Sequence, residues 1–425
     1  MFKAPRGTAD ILPDEQPYWR HVEARAAELC QRFDYRRIDT PIFEDSGLFV
    51  RSVGGATDVV EKEMYSFADR SGDWMTLRPE ATAAVCRAYL QHGMRVLPQP
   101  VRLYSVGAAM FRYDRPQAGR QRQFHQVNVE AIGDADASVD AEIVEMAWRF
   151  FAELGLRDLT LVVNSIGDGA CRPGYLDALR QHYHPLVAGL CPDCKRRFRA
   201  NTLRLLDCKR ESCQPHAQAA PRSLDHLCGP CRDHWNELTA SLDRLGVPFT
   251  VDHRLVRGLD YYTRTVFEIT PPEEGAQATL GGGGRYDGLI EQLNGRPTPG
   301  VGFACGMERI ILNMKRQGVA VPSEPPVTGV VVHLGSQAKG PALKLASDLR
   351  ASGVPAVLAP AGKSLKAQMR YAGTLGAPYA LILGDDELRD GTVTVKDMAG
   401  GQQRQVPLDE VTGALKRTGT SPPSR

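Results

Sequence analysis

Apolar residues recur at helical spacing along two stretches of the first third of the chain, residues 17–34 and 141–156. This spacing predicts two amphipathic helices, because apolar side chains three and four residues apart fall on one face of an α-helix. Residues 35–44 and 157–168 instead carry the β-branched patterns of extended chain. The first part of the chain is therefore predicted to mix helices with strands.

The pattern changes beyond residue 318, where a proline-rich stretch over 318–329 is typical of a hinge. Three short apolar runs that favour strands follow, over residues 329–335, 354–360 and 378–384. Helical spacing near residues 341–351 and 364–375 separates these runs. Strand–helix alternation of this kind predicts a small α/β domain with a largely parallel sheet, beginning at about residue 326.

Length and composition limit the classes of protein to consider. A chain of 425 residues, 42% of them hydrophobic and 24% charged, is long enough for two or three domains with real cores. The formal net charge of +2 excludes a chain-wide electrostatic footprint for nucleic acid but is compatible with local basic patches. The chain begins without a signal-peptide pattern and has no run of 18 apolar residues, so we expect a cytoplasmic protein with no membrane partner.

Cysteines and basic residues are concentrated between residues 169 and 240, which we interpret as a module inserted into the first domain. Seven of the ten cysteines lie there, and without an export signal they favour thiols in a reducing cytosol over a disulfide framework. Two C-x2-C pairs have the spacing of zinc ligands, and two cysteines between them offer further sulfurs: Cys191 and Cys194, Cys228 and Cys231, and Cys208 and Cys213. The module holds either a structural zinc ion at the two pairs or free thiols.

Residues 110–126 group arginines with an aromatic residue around a predicted turn. Arg112 lies beside the start of a hydrophobic strand-like segment, and a turn with Pro116 and Gly119 then leads to Arg120 and Phe124. Guanidinium groups bind phosphate through paired hydrogen bonds, and a phenyl ring can stack on a nucleobase. The segment therefore predicts a nucleotide clamp, with a solvated hairpin as the alternative.

Two strand-to-helix junctions carry polar residues that could reach a pocket. Glu80 and Thr82 follow one predicted strand, and glycines within residues 300–306 precede Arg309 at the start of another helix. Glycines allow the backbone to approach a ligand closely, and a helix start favours phosphate. Taken singly, a capped helix and a tight turn also explain these residues.

A cation, a carboxylate and two phenols fall within six residues of the segment "LVRGLDYYTRTVFEI". Arg257, Asp260, Tyr261 and Tyr262 come directly before a β-branched, aromatic run. Strands seldom group such side chains, so we interpret the segment as part of a site for a small molecule with charged and polar groups. We expect Asp260 to orient Arg257 through a salt bridge.

The order of these segments resembles the class II aminoacyl-tRNA synthetases, and most closely their histidine-specific family. "RGTADILPDE" resembles the N-terminal opening of that family, and "RRIDTPIFEDSGLFVRSVG" resembles the dimer-forming first motif of the class. "FRYDRPQAGRQRQFHQ" and "GVGFACGMERI" are similar to the second and third motifs. "RGLDYYTRTVFEI" and "GGGRYDGL" resemble two motifs particular to the histidine-specific family, which makes them the most specific of the set.

The resemblance implies a fold, a reaction and partners. The fold would be an α+β catalytic domain over residues 1–322, with a mainly antiparallel sheet flanked by helices, a helical cysteine-rich insertion over 169–240 and an α/β anticodon-binding domain over 326–425. The reaction would activate histidine with ATP, accompanied by Mg²⁺, to histidyl-adenylate. The histidyl group would then pass to the 3′ end of tRNA(His). The enzyme would be a homodimer formed through residues 36–54.

By the same resemblance, several residues would bind histidine. Glu130 and Tyr262 would face the two ring nitrogens of the imidazole, and Tyr261 and Tyr286 would line the same pocket. Three more match the positions that receive the α-ammonium group: Glu80, Thr82 and Gln126.

Five residues would contact ATP or act in catalysis. Arg257 would lie beside the substrate carboxylate and the α-phosphate, and Arg112 would contact the α-phosphate. Arg309 would contact the γ-phosphate, while Arg120 and Phe124 would bind ATP, with the phenyl ring under the adenine. The catalytic residues would thus be Arg257, Arg112 and Arg309.

A non-catalytic relative, the regulatory subunit of ATP phosphoribosyltransferase, offers a rival function. It resembles this core and can bind histidine as a signal. Such subunits lack the C-terminal domain and commonly lose the tyrosine motif and the motif arginines. Both features are present in this chain, which favours the enzyme.

Overall fold

The computed structural model describes residues 2–53, 60, 63–113, 115–116, 120–272, 279–322 and 327–418. The chain divides into two units, Met1–Val321 and Pro322–Arg425. Residue 326, where the sequence predicts the start of the second domain, lies outside the described residues. Among the helices described, none combines the length and the hydropathy that a bilayer span requires.

An eight-stranded sheet and a smaller three-stranded sheet are built from the strands of the first unit. These strands are β1 Arg36–Arg37, β2 Phe43–Asp45, β3 Tyr65–Ala68, β4 Trp74–Leu77, β5 Val101–Phe111, β6 Gln123–Ile132, β7 Thr160–Ser165, β8 Thr250–Val251, β9 Thr263–Thr270, β10 Gly281–Arg285 and β11 Gly300–Gly306. The large sheet has the order β1-β5-β6-β11-β10-β9-β7-β8. Its two outermost pairs are parallel and the pairs between them antiparallel, and β2-β4-β3 form the small sheet.

Helices flank the large sheet and supply two cores. They are α1 Gln16–Arg32, α2 Ser46–Val53, α3 Thr82–Gln91, α4 Ala137–Glu153, α5 Arg172–Tyr183, α6 Pro192–Ala200, α7 Gln214–Gln218, α8 Gly229–Arg244, α9 Leu289–Gln292 and α10 Met307–Arg316. Helices α1, α4, α8 and α10 bury their apolar faces in one core. The second core contains α3, α5 and the residues around Tyr261 and Tyr286. The predicted α+β fold class is confirmed.

A buried ion pair joins α4 to β10. Asp136 caps α4 by accepting a hydrogen bond from Ser138 N at 2.9 Å, which satisfies one of the free N–H groups of the first turn. One turn later, the carboxylate of Asp140 pairs with the guanidinium of Arg285, and both side chains are fully buried. Arg285 also donates to the carbonyl oxygen of Asp134 at 2.9 Å. This network fixes the end of β10 and therefore the position of Tyr286.

The described secondary structure of residues 169–240 is helical, as predicted for the insertion. Besides α5 to α8, the segment contains short 3-10 helices at His184–Gly189, Thr202–Leu205, Glu211–Cys213 and Ser223–His226. Helices this short have little stability of their own in water, so packing or a covalent or metal link has to hold them.

The described residues of the second unit, 322 and 327–418, form five strands and four helices. They are β12 Gly329–His333, α11 Lys339–Ala351, β13 Ala356–Leu358, α12 Leu365–Thr374, β14 Tyr379–Leu383, α13 Asp385–Asp390, β15 Thr392–Asp397, β16 Gln403–Pro407 and α14 Val411–Thr418. The order is β13-β12-β14-β15-β16. The first three strands are parallel, as expected, but β15 and β16 add antiparallel pairs. The sequence analysis missed this hairpin because β16 buries a single side chain, Val406.

Candidate active site

One pocket of the first unit brings together every side chain that the sequence assigned to histidine or ATP. Strands β6, β10 and β11, the start of α3, the segment before β9 and the start of α10 supply its walls. The twelve predicted residues that line it are Glu80, Thr82, Arg112, Arg120, Phe124, Gln126, Glu130, Arg257, Tyr261, Tyr262, Tyr286 and Arg309. The antiparallel strand order brings these segments together although they are far apart in the sequence.

Glu130 on β6 is a buried carboxylate in the wall of this pocket. Its Oε1 accepts a hydrogen bond from Thr82 Oγ1 at 2.6 Å, and its Oε2 accepts one from the Tyr286 hydroxyl at 2.5 Å. Burial raises the pKa of Glu130 to about 8, although the two hydrogen bonds act in the opposite direction. The carboxyl group is therefore held in one orientation and shielded from water.

Glu80 lines the pocket and, from the position before the N-cap residue Ala81, also bonds the first N–H groups of α3. Its Oε2 accepts a hydrogen bond from Thr82 N at 2.7 Å, and its Oε1 accepts one from Ala83 N at 2.9 Å. These bonds satisfy two N–H groups that the first turn of a helix leaves free. Burial raises the pKa of Glu80 above its usual range. The capping and the binding interpretations of this junction are thus compatible.

Two facing strands need glycine beside this pocket. A Cβ on Gly302 would lie 2.0 Å from Glu130 Oε2, and a Cβ on Gly283 would lie 1.9 Å from the carbonyl oxygen of Gly302. Both distances are far below van der Waals contact, so any side chain would displace Glu130 or separate β10 from β11. The glycines of "GGGRYDGL" and "GVGFACGMERI" therefore shape the site.

Three tyrosines form an aromatic wall next to Arg257. The rings of Tyr261 and Tyr262 have centroids 4.7 Å apart, and those of Tyr261 and Tyr286 are 5.9 Å apart in an edge-on arrangement. Arg257 Cζ lies 5.7 Å from the centroid of the Tyr262 ring, within range of a cation–π interaction. The guanidinium is thus placed against the phenols that the sequence groups with it.

The expected salt bridge between Asp260 and Arg257 is wrong. Arg257 instead pairs with Glu268 on β9, whose other oxygen accepts a hydrogen bond from Thr279 Oγ1 at 3.1 Å. Asp260 accepts a hydrogen bond from Asn201 Nδ2 at 2.8 Å. The chain between positions 257 and 260 directs the two side chains apart, one toward the sheet and the other toward the insertion.

Two polar atoms in the pocket wall are buried without a hydrogen-bond partner among the described residues. They are Arg257 Nε, a donor, and Gln126 Oε1, an acceptor. Buried polar groups in proteins are almost always paired, and leaving one unpaired costs about 1–3 kcal/mol. These atoms are therefore suited to contact a bound ligand.

Three arginines gather at the part of the pocket next to α10. Arg309 NH1 donates to the carbonyl oxygen of Thr279 at 2.9 Å, and Arg112 Cζ lies 5.6 Å from the centroid of the Phe124 ring. Burial lowers the pKa of Arg309, and the nearby Arg120 and Arg112 lower it further. Mutual repulsion among three cations favours a bound anion, since the anion relieves it.

The sequence analysis assigned no role to several polar residues in or beside the pocket, among them Asn128, Glu268 and Glu308. Asn128 Nδ2 donates to Ser105 Oγ at 3.2 Å, and Glu308 accepts hydrogen bonds from His125 N at 3.0 and 3.1 Å. The signal for Glu268 was available, because it is the one carboxylate in the buried apolar run of β9. Its pairing with Arg257 could not be predicted from the linear sequence, because strand pairing sets it.

The predicted zinc ligands Cys191, Cys194, Cys228 and Cys231 do not share one site, so this grouping is wrong. The two C-x2-C pairs begin different helices, α6 and α8, and each lies with other potential ligands. The two groups are Cys191, Cys194, Cys208 and Cys213, and Asp168, Cys171, Cys228 and Cys231. All ten cysteines, every one of them among the described residues, are free thiols.

The fold and the site define a class of protein. A mainly antiparallel sheet that presents an arginine on a strand end, a second arginine at a helix start and an aromatic residue between them is the architecture of a class II aminoacyl-tRNA synthetase. A family model described as histidyl-tRNA synthetase matches residues 7–310, and one described as an anticodon binding domain matches residues 329–418. The chain belongs to the histidyl-tRNA synthetase family.

Individual relatives agree with this assignment. A histidine–tRNA ligase of Dehalococcoides mccartyi is 55% identical over 417 residues, covering 98% of this chain and 100% of the relative. One of Pelotomaculum thermopropionicum is 48% identical over 412 residues, or 97% of each chain. The crystal structure of apo histidyl-tRNA synthetase from S. aureus matches with a TM-score of 0.82 at 40% identity, over 98% of this chain and 100% of that one. Such matches do not favour the regulatory-subunit alternative.

Proposed function

We propose that this chain is a histidine–tRNA ligase that forms histidyl-adenylate from histidine and ATP and transfers the histidyl group to the 3′ end of tRNA(His). The observation that carries the proposal is that a buried hydrogen-bonding region around Glu130 and a cluster of three arginines lie in the same pocket. The first region suits an imidazole, and the second suits a triphosphate. Full-length identity to histidine–tRNA ligases supports the same reaction.

The imidazole of histidine would bind between Glu130 and Tyr262. A neutral imidazole has one donor and one acceptor nitrogen, so a selective site needs a polar partner at each. Glu130 would accept the ring N–H, and the Tyr262 hydroxyl would face the other nitrogen. Both side chains are buried. Amino acids without these nitrogens would leave buried groups unpaired, and sites of this kind reject them by about 10⁴–10⁵-fold.

The α-ammonium group would be received by Glu80, Thr82 and Gln126. Gln126 offers the acceptor atom Oε1, which is buried and has no partner among the described residues. Glu80 supplies a buried carboxyl group from the start of α3. A cation placed between these groups would satisfy the orphan acceptor, which supports their role in orienting the amino acid.

Adenylation would need no nucleophile from the protein. A carboxylate oxygen of histidine attacks the α-phosphorus of ATP, a new P–O bond forms, and the bond to pyrophosphate breaks. Arg257 and Arg112 would face the charge that builds up on the α-phosphate, and Arg309 and Arg120 would bind the departing phosphates. Phe124 would stack under the adenine. Fixed cations directed at developing charge are the main source of acceleration in such transfers.

Carboxylates beside the arginines fit a magnesium ion that arrives with ATP. Glu268 and Glu308 both act electrostatically on Arg309, so oxygen ligands and phosphate partners lie in one region. Mg²⁺ usually binds through one or two carboxylates together with phosphate oxygens and water. It would neutralise charge on the phosphates, and Glu308, which lines the pocket, would hold it near Arg309.

The second unit would recognise the anticodon of tRNA(His). Its match to an anticodon binding domain model over residues 329–418 supports this assignment, and the described residues that line the active-site pocket all belong to the first unit. We further propose a cytoplasmic homodimer that assembles through residues 36–54. Five large apolar side chains that are exposed on or next to α2 and the small sheet support such an interface: Ile42, Phe43, Val50, Phe67 and Trp74.

Pyrophosphate exchange measured with each of the twenty amino acids tests the reaction. The proposal predicts ATP–pyrophosphate exchange with histidine alone, followed by charging of tRNA(His) when the tRNA is added. Exchange driven by a different amino acid would contradict the substrate. Histidine binding without any exchange would instead match the regulatory subunit.

A further inference from the structure

Four cysteines of the insertion converge on one point. Cys191 is the N-cap of α6 and Cys194 lies in its first turn, while Cys208 and Cys213 come from the two segments that follow. All four sulfur atoms lie within 4.8 Å of one another, and Cys191 Sγ is 3.9 Å from Cys208 Sγ. The corners of a tetrahedron of sulfurs around zinc are about 3.8 Å apart, since Zn–S bonds measure about 2.3 Å.

We propose that Cys191, Cys194, Cys208 and Cys213 bind one structural zinc ion as four thiolates. The spacing C-x2-C-x13-C-x4-C follows the two-knuckle pattern of zinc sites, with each pair separated by two to four residues. Cysteines that merely fill a core have no reason to bring four sulfurs together. The metal assignment does not depend on the reaction proposed above, and only the positioning role argued below rests on it.

The surroundings of the cluster favour thiolates. Cys191 N donates a hydrogen bond to Cys213 Sγ at 3.4 Å. The start of α6 places its partial positive charge at Cys191 and Cys194, which stabilises negative sulfur. Zinc with four thiolates carries a net charge of −2, and basic residues follow the first pair: Lys195, Arg196, Arg197, Arg199, Arg204, Lys209 and Arg210. Positive side chains this close to the ligands in the sequence would offset part of that charge.

A metal link explains how this part of the insertion stays folded. The ligands bracket α6 and the 3-10 helices Thr202–Leu205 and Glu211–Cys213, none of which is long enough to be stable alone. Structural zinc supplies folding energy directly in segments of this kind.

The same link holds residues that contact the active-site loop. Asn201 Nδ2 donates to Asp260 Oδ1 at 2.8 Å, and Arg204 NH1 donates to the carbonyl oxygen of Gly258 at 3.4 Å. Both donors lie between Cys194 and Cys208. The zinc ion therefore fixes the surface on which the segment between Arg257 and Tyr261 rests, so that it acts in positioning and not in the chemistry.

The second group of potential ligands is a matched comparison. There the carboxylate of Asp168 accompanies three cysteines, but it is already paired with Arg264 at 3.3 Å and with Ala170 N at 3.0 Å. A carboxylate committed to an arginine is a poorer ligand than a thiolate. Cys228, in this second group, therefore offers a control position.

Zinc content of the full-length protein, measured after dialysis, tests the assignment. Cys208→Ser should lower the content by one equivalent per chain relative to wild type, whereas Cys228→Ser should not change it. X-ray absorption at the zinc edge of wild type should show four sulfur neighbours at about 2.3 Å. Zinc-free wild type, or a Cys208→Ser protein that keeps all its zinc, would overturn the proposal.

Two further measurements cover a variant that does not fold. If Cys208→Ser is insoluble, the absorption spectrum of wild type decides alone, because an oxygen neighbour in place of a sulfur would assign the metal to the Asp168 group and overturn the proposal. Cobalt-substituted wild type should show the intense sulfur-to-metal bands of a tetrahedral four-thiolate site. Chelation of the zinc should raise the KM for histidine more than it lowers kcat, as expected for a positioning role.

Discussion

Tyr286 donates its phenolic hydrogen to Glu130 across 2.5 Å, and both side chains are buried. The two residues are 156 positions apart in the sequence. They meet over β11, which lies between β6 and β10 and whose glycines leave room for both side chains. Thr82 holds the other oxygen of the same carboxyl group from the start of α3. Two hydroxyl groups from separate elements thus fix one carboxyl group, and its further lone pairs are left for a ligand.

This arrangement predicts that Glu130→Gln impairs histidine binding selectively. The amide keeps the shape of the side chain but replaces one oxygen with an NH2 group that cannot accept the imidazole N–H, and leaving a buried polar group unpaired costs about 1–3 kcal/mol. We expect the KM for histidine to rise by roughly 10- to 100-fold, with little change in the KM for ATP. Glu142→Gln, which removes a carboxylate that pairs with Arg102 outside the pocket, serves as the control. Equal losses for both substrates would show a structural role.

The same substitution should change how stability depends on pH. Burial raises the pKa of Glu130 from its ordinary 4.5 to about 8, so the folded protein holds this proton more tightly than the unfolded chain. The resulting stabilisation is complete below pH 4.5 and is lost as the pH rises through about 8. The free energy of unfolding in urea should therefore fall more steeply between pH 5 and pH 8 in wild type than in Glu130→Gln. Parallel profiles would contradict a buried, protonated Glu130.

Arg257→Ala should reduce adenylation while the fold persists. The guanidinium lies against Tyr262, pairs with Glu268 and keeps one buried donor available. Removing one fixed hydrogen-bond donor that faces developing negative charge typically lowers kcat by about 10²–10³-fold. Arg254→Ala is the matched control, since Arg254 pairs with Asp252 outside the pocket. Near-normal pyrophosphate exchange by folded Arg257→Ala would rule out this role.

The homodimer prediction can be tested at the small sheet. Trp74 on β4 is 61% exposed and Phe43 on β2 is 54% exposed, which is unusual for side chains of this size. Wild type should sediment at twice the chain mass of 46.6 kDa. Trp74→Glu should shift the protein toward the monomer, whereas Leu343→Glu, at an exposed position on α11, should not. A monomeric wild type at micromolar concentration would refute the assignment.

Local patterns in the sequence predicted the elements well and the contacts less well. The helix expected over 141–156 is α4, which begins earlier because Asp136 provides its cap. By contrast, the pairing of Arg257 with Glu268 depends on how the strands of the sheet are arranged. The division of the cysteines into two groups depends on tertiary packing as well, because α6 and α8 begin at separate places in the fold. Spacing along the chain cannot reveal such contacts, because they are set by tertiary packing. The pocket residues were found because motif resemblance carries that non-local information.

Removal of the second unit should separate the two half-reactions. The described residues that line the pocket all belong to the first unit, so a chain ending at Val321 should keep most of its pyrophosphate exchange. Charging of tRNA(His) should fall, mainly through a higher KM for tRNA, because contacts to the anticodon would be lost. Basic residues such as Lys363, Lys366 and Arg370 would supply phosphate contacts, which position an RNA, while exposed bases would be read by other side chains.

The measurement compares exchange and charging on the same truncated preparation, after sedimentation has established its oligomeric state. A second unit that only supports the dimer would make both activities fall together with dimer content. Unimpaired charging by a dimeric truncated protein would contradict the assignment of anticodon recognition to the second unit. The double variant Lys363→Ala with Lys366→Ala in the full chain distinguishes a unit that binds tRNA from one that only supports the dimer. Lost phosphate contacts should raise the KM for tRNA and reduce its salt dependence, without changing pyrophosphate exchange.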